Sequence, residues 1–217
     1  MRRRTKWLLG GLGGALLAVG TGFQLMRLGY EEPAYEVVAE HGPLEVRRYA
    51  PRVVAQTVVS GAEGDVTGEG FRRLAGYIFG GNAGEQEVAM TTPVERAPTK
   101  GRRIAMTTPV ERAPAEDGAT ITFTMPSEHD LASLPTPNDP RVELRELPAE
   151  TVAVLRFRGR ATDASRDLHT RALEALLERH GYDALGAPSL AQYDPPWVLG
   201  PFRRNEIHVP VTPRDGA

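Results

Sequence analysis

Only two stretches of this chain carry a helical period, and both are embedded in short runs that read as strands. That order constrains the fold more than any other feature. In residues 69–80 the apolar positions Phe71, Leu74, Ala75, Ile78 and Phe79 fall at i, i+3, i+4, i+7 and i+8, one face of an amphipathic helix that Gly80-Gly81 then stop. A second helix is predicted from about Asp163 to His180, with Leu168, Ala172, Leu173, Leu176 and Leu177 inward and Gly181 at its C-cap. Strand signals fall at Leu44–Tyr49, Arg52–Ser60, Val88–Thr92, Ile104–Thr108, Thr120–Met125, Val142–Leu147, Thr151–Phe157 and Glu206–Val211. Each half thus places two strands before a helix and returns to strand after it. This predicts an α+β fold in which a pseudo-duplicated sheet curls around a shared core, the proline-rich stretch 126–140 joining the halves.

A sharper repeat lies within the first half. Ala89-Met90-Thr91-Thr92-Pro93-Val94-Glu95-Arg96-Ala97-Pro98 recurs unchanged at 105–114, a spacing too short for a solenoid unit, so a hairpin of two similar strands is the economical reading. In each copy the proline lacks a ladder donor and must mark a strand end, an edge or a bulge.

The N-terminus is of a different kind. Trp7 to Met26 is a run of twenty residues without a charge, enough helix at ~1.5 Å per residue to cross a ~30 Å hydrocarbon core. The preceding Arg2, Arg3, Arg4 and Lys6 would stay cytoplasmic, which places the rest beyond the membrane. The expectation is a single-pass inner-membrane anchor over residues 1–30 with the C-terminal domain in the periplasm or exterior. A cleaved signal peptide is the alternative, with Ala18-Val19-Gly20 as its cleavage site and a secreted or periplasmic product. Five of the 26 basic residues lie within the first 27 positions; the remainder carries 21 against 28 acidic, a net −7, which gives it no electrostatic reason to seek nucleic acid or anionic lipid. With no cysteine, disulfides, thiolate metal sites and cysteine nucleophiles are excluded.

The paired Met-Thr-x-Pro-Val motifs at 90–94 and 106–110, followed by Phe123-Thr124-Met125-Pro126, resemble the central signature of the SOUL haem-binding proteins. Upstream, Tyr35-Glu36-Val37 and Leu44-Glu45-Val46-Arg47-Arg48-Tyr49 are similar to that family's opening strands, and Gly70-Phe71, Leu74 and Tyr77-Ile78 to its first helix. Downstream, Leu134-Pro135, Tyr193-Asp194-Pro195-Pro196-Trp197 and Arg203-Arg204-Asn205-Glu206 are similar to its end. The resemblance covers about residues 33–211 and leaves 212–217 as a flexible tail. It implies a distorted β-barrel with two main helices, here preceded by a transmembrane helix, and non-covalent binding of haem or another tetrapyrrole in a hydrophobic surface cleft partly against the first helix.

Such a ligand offers a large apolar plate and two carboxylates, so it needs apolar surface edged by basic side chains. On the first helix Phe71, Leu74 and Ile78 would meet the ring, and Arg72 or Arg73 would reach a propionate; the same stripe is equally readable as core with solvated arginines. Arg203 is a second propionate anchor or a structural partner of a carboxylate such as Glu206. Met90, Met106 and Met125 are adaptable core fillers or thioether ligands to iron. Among five histidines, none stands in a ligand pattern. Where one branch of the family carries a candidate axial histidine this chain has Arg48, which favours porphyrin binding without histidine ligation. No metal site and no catalytic constellation is recognisable; an enzyme, such as a small-molecule hydrolase or effector-binding domain of related barrel architecture, would have to use scattered groups such as Tyr193, Glu206 or His208.

Overall fold

The computed structural model describes residues 30–61, 65–83, 101–116, 118–195 and 197–214. In chain order the elements are β1 (Tyr35–His41), β2 (Leu44–Tyr49), β3 (Arg52–Ser60), α1 (Val66–Ile78), β4 (Val110–Ala115), β5 (Gly118–Thr124), β6 (Glu143–Leu147) and β7 (Glu150–Arg158). After these come α2 (Asp163–His180), β8 (Tyr182–Ala184), β9 (Ser189–Gln192), a 3-10 turn at Gly200–Phe202 and β10 (Arg204–Pro213).

All strand pairings are antiparallel, in the order β1-β2-β7-β10-β9-β4-β5-β3-β6, with β8 also on β10. The closure comes from two bent strands. β2 pairs with β7 from Leu44↔Leu155 to Tyr49↔Glu150, and β3 pairs with β6 from Arg52↔Leu147 to Gln56↔Glu143. Partner numbers add to 199 in both ladders (44 and 155, 56 and 143), so β2–β3 and β6–β7 run as one register broken by a two-residue corner. That register sets Pro51 opposite Pro148, and neither can donate to a ladder, so the pairing opens there. Because β3 continues into β2, and β2 pairs with β7, the sheet curls into a distorted barrel split at this corner.

The helices lie against one side of the sheet, α1 over β3 and β5, α2 over β7, β8 and β10. Asp65 caps α1 by accepting from the Gly68 N–H at 2.8 Å, and Thr162 caps α2 by accepting from Ser165 at 3.2 Å. Gly181, at φ +71°, closes α2 in the left-handed conformation. Gly70 lets α1 lie close on β5: a Cβ there would stand 2.3 Å from Ile121 Cγ1. Two apolar cores result, one of Val53, Leu74, Ile78, Ile121 and Phe123 under α1, the other of Val46, Leu155, Leu173, Leu177 and Ile207 under α2.

Several expectations need correction. The first helix runs from Val66 to Ile78 rather than over 69–80. Ile104–Thr108 is no strand, because the Ile104 N–H bonds Ile78 O and the Thr108 N–H bonds Glu31 O, spending on connections the donors a ladder needs. The strand begins after Pro109, as the missing proline donor requires. The other repeat copy, with the strand expected at Val88–Thr92 and with Met90, lies outside the described residues. On α2, Leu168 and Ala172 face solvent rather than the core, since His169 takes the inward position, stacking on Phe157 at 4.0 Å. The expected tail at 212–217 is held as far as Arg214: β10 reaches Pro213 beside β8, the Arg214 N–H bonds Gly181 O, and its guanidinium pairs with Glu178 and Asp183. Among the described residues no helix is long and apolar enough to cross a membrane, and the 7–26 stretch lies outside them.

Candidate functional site

Strand alternation gives the sheet a second face, turned away from the helices, and charge fills it. Arg47 and Tyr49 of β2, Arg204, Glu206 and His208 of β10, Glu111 of β4 and Tyr193 just past β9 converge there. Glu206 is 0% exposed. Its carboxylate accepts from Arg47 Nη1 at 2.9 Å, Tyr193 Oη at 2.7 Å, His208 Nε2 at 2.9 Å and Arg204 Nε at 3.0 Å. Burial alone would raise this carboxyl; the hydrogen bonds from His208 and Arg47 and the charge of Arg204 instead hold it well below the usual carboxylate range. Burial would likewise lower His208, yet Glu111 and Glu206 on its two sides raise it above its ordinary value. Burial pushes the Tyr49 phenol up to about 12.

Tyr193, Glu206 and His208, named above as examples of scattered groups, are therefore together, at bonding distance and sealed from solvent. A carboxylate whose lone pairs are all taken by two arginines, a tyrosine and a histidine has no free acceptor with which to act as a base. The arrangement is a satisfied ionic core, and the alternation of Glu45, Arg47 and Tyr49 on β2 with Arg204, Glu206 and His208 on β10 was the signal for it.

The residues expected to hold a tetrapyrrole divide between several places. Leu74 and Ile78 are 0% and 1% exposed and belong to the core under α1. Phe71 is half-buried, edge-on to Phe123 at 5.4 Å. Arg73 donates to Thr57 Oγ1, Val58 O and Glu69, tying α1 to β3. Arg72 is exposed, 3.7 Å from Asp65. Arg203 sits beside β10 in the other half, its Nε donating to Val198 O, while Glu206 is served by Arg47 and Arg204. Met106 packs on the core under α1 and Met125 is buried within it, the filler role. Arg48 points outward toward Glu36 at 3.9 Å.

What α1 does present outward is a different stripe. Arg72, Gly76 and Phe79 are exposed at i, i+4 and i+7, spanning ~10 Å of helix axis. Phe79 is 51% exposed, the Arg103 guanidinium stands 5.8 Å from its ring centroid, and a Cβ at Gly76 would meet nothing within 4 Å. The backbone left bare at Gly76 thus lies between the Arg72 guanidinium at one end of the stripe and the Phe79 ring with Arg103 at the other. Phe79 carried a sequence signal but was read as inward; Gly76 and Arg103 carried none. At the proline corner a separate cleft of about 310 Å³, lined by Pro33, Pro51, Arg52, Met125 and Pro126, is at the lower bound for small ligands. Among the described residues no cluster of three or more His, Asp or Glu side chains could hold a metal ion.

Comparison with known proteins places these features in context. The profile of the family described as SOUL heme-binding protein matches residues 30–210. Heme-binding protein 2 of Mus musculus is 25% identical over 166 residues, 76% of each chain. Among solved structures, the EcmrR C-terminal domain superposes with a TM-score of 0.52 at 13% identity, over 82% of this chain and 98% of that one. A hydrolase from Listeria innocua superposes with a TM-score of 0.52 at 15% identity, over 81% and 94%. The last two are likenesses of fold alone.

Proposed function

This chain belongs to the SOUL heme-binding protein family, and on that footing we propose that it binds haem or another tetrapyrrole non-covalently on the outer stripe of α1. The observation that carries the reading is the exposed Arg72–Gly76–Phe79 surface with Arg103 beside it. Phe79 and the bare backbone at Gly76 take the ring face, and Arg72 and Arg103 take the propionates. The other bonds of the five histidines support binding without histidine ligation: His208 is locked in the ionic core, His169 donates to Ser165 O while stacked on Phe157, His41 and His180 stack on each other at 4.3 Å, and His129 lines the separate cleft at the proline corner, 3.6 Å from Glu128. The protein acts as a carrier, buffer or scavenger, and the Trp7–Met26 run with its flanking arginines supports an extracytoplasmic domain anchored in the inner membrane. An anchored chain stays in the pellet on alkaline extraction of membranes; a cleaved one is recovered in solution.

Titration of the full chain with haemin and with iron-free porphyrin tests the binding. The expected result is a saturable Soret shift with both, weakened about tenfold by Phe79→Ala, the size of a lost aromatic stacking contact. No saturable shift with either ligand removes the function; an unchanged affinity in Phe79→Ala, with binding intact, removes the site.

A further inference from the structure

Between β9 and β10 the chain passes through Trp197-Val198-Leu199 before the turn at Gly200–Phe202. Trp197 is 67% exposed and Leu199 59%, while Val198 between them is buried. The loop is held, not loose: the Val198 N–H bonds Pro195 O, Val198 O accepts from Arg203 Nε at 2.7 Å, and the Phe202 and Arg203 N–H groups bond Leu199 O and Gly200 O. Two large apolar side chains are therefore presented outward on a fixed scaffold, at a cost in hydration that nothing among the described residues recovers.

Basic side chains stand on and just past β7, the strand that the turn at Gly200–Phe202 packs against. Arg156 and Arg158 are exposed on one face of β7, Arg158 opposite Arg204 in the ladder, and the stem of Arg160 lies against Gly200. Among the described residues, none of these three has a carboxylate within 4.0 Å. In a body of net −7, an unpaired basic cluster beside an exposed tryptophan and leucine is a local exception to the charge balance. The chain enters the fold between the two halves: Glu31 accepts from the Thr108 and Ser127 N–H groups, and Glu32 pairs with Arg204 Nη1 at 2.9 Å, next to the arginine that holds Val198 O. From Met26, the end of the uncharged run, to Tyr30 is four peptide steps, at most ~14 Å.

We infer that the Trp197–Leu199 loop, with Arg156, Arg158 and Arg160, is the surface by which the domain rests on an anionic lipid bilayer. The inference leans on the reading of residues 7–26 as an anchor. Tryptophan sits at the headgroup level with its ring in the apolar boundary, leucine enters the acyl region, and guanidinium groups pair with lipid phosphates. The surface lies on the opposite half of the sheet from α1, so docking leaves the Phe79 stripe open.

The chain has two tryptophans, Trp7 and Trp197, so each reports one element. Full-length Trp7→Phe and Trp197→Phe variants, reconstituted into phosphatidylcholine–phosphatidylglycerol vesicles with brominated acyl chains, separate the two ideas. In Trp7→Phe, Trp197 should lose most of its emission to bromines placed near the headgroup, and Arg158→Glu with Arg160→Glu should restore it. Quenching of Trp7 in Trp197→Phe without quenching of Trp197 overturns the docking surface and leaves the anchor standing. Quenching of Trp197 without that of Trp7 keeps the surface and defeats the anchor; absence of both defeats both. If Trp197→Ala and Leu199→Ala cost haemin affinity while lipid quenching is absent, the loop belongs to the ligand and the inference falls.

Discussion

The two faces of the curled sheet are built on opposite principles, although the same strands supply both. Toward the helices, Val46, Leu155, Ile207 and Ile121 meet Leu74, Ile78, Leu173 and Leu177 and exclude water by apolar contact. Toward the inside of the curl, at the alternate positions of β2, β4 and β10, Arg47, Glu111, Glu206 and His208 exclude it by matching charge to charge. A hydrophobic face tolerates approximate neighbours and is specified by pattern, whereas an ionic interior is stable only when every donor meets its acceptor. The inner face is thus the one where a single substitution should do most harm.

The largest effect is expected at Arg47. Arg47→Met leaves the Glu206 carboxylate buried and under-compensated, at a cost of ~3–5 kcal/mol, and Glu206→Gln added to it should recover much of the loss. A single-variant cost below ~1 kcal/mol in urea unfolding, or no recovery in the double, would break the contrast between the faces. The outer face should yield somewhat less and show its pattern: Leu173→Ala costs ~2–4 kcal/mol, while Leu168→Ala, five residues away on the exposed side, changes stability by no more than ~0.5 kcal/mol. Equal costs would mean that α2 packs in another rotation.

The smallest effect sharpens the ionic side through pH. His208 is raised above its ordinary 6.5, so its contribution is complete below that value and is lost as pH rises through the raised one. Glu111 is lowered from 4.5, so its contribution is complete above 4.5 and is lost as pH falls through the lowered value. Unfolding free energy followed from acid to alkaline pH should decline once pH rises past 6.5 in the parent chain, with that decline absent from His208→Gln. A parallel decline in both would place the titration elsewhere.

Reading the sequence forward worked where one period governed a stretch. Both helices, the curled sheet and its two-part plan follow from apolar spacing, because burial of one face is what that spacing encodes. It failed where a residue's direction depended on a neighbour far along the chain. Leu168 looked inward until His169 took the place against Phe157, and Ile104–Thr108 looked like a strand until its donors were claimed by Ile78 and Glu31. Leu74 and Ile78 were legible as an apolar stripe, but periodicity alone cannot distinguish a stripe facing the core from one facing a ligand. The exposed stripe through Gly76 depends on Arg103, twenty-four residues beyond Phe79, and nothing local links them.

The shared register of β2–β3 with β6–β7 has a consequence for how the chain reaches this state. Its pairs join residues 87 to 111 positions apart, from Gln56↔Glu143 to Leu44↔Leu155. Neither half owns a complete sheet, since β2 lies against β7 and β6 against β3. Ordering must await a long-range encounter whose entropy is lost before any contact repays it, so folding should be slow for the chain's size and the two halves should melt as one cooperative unit.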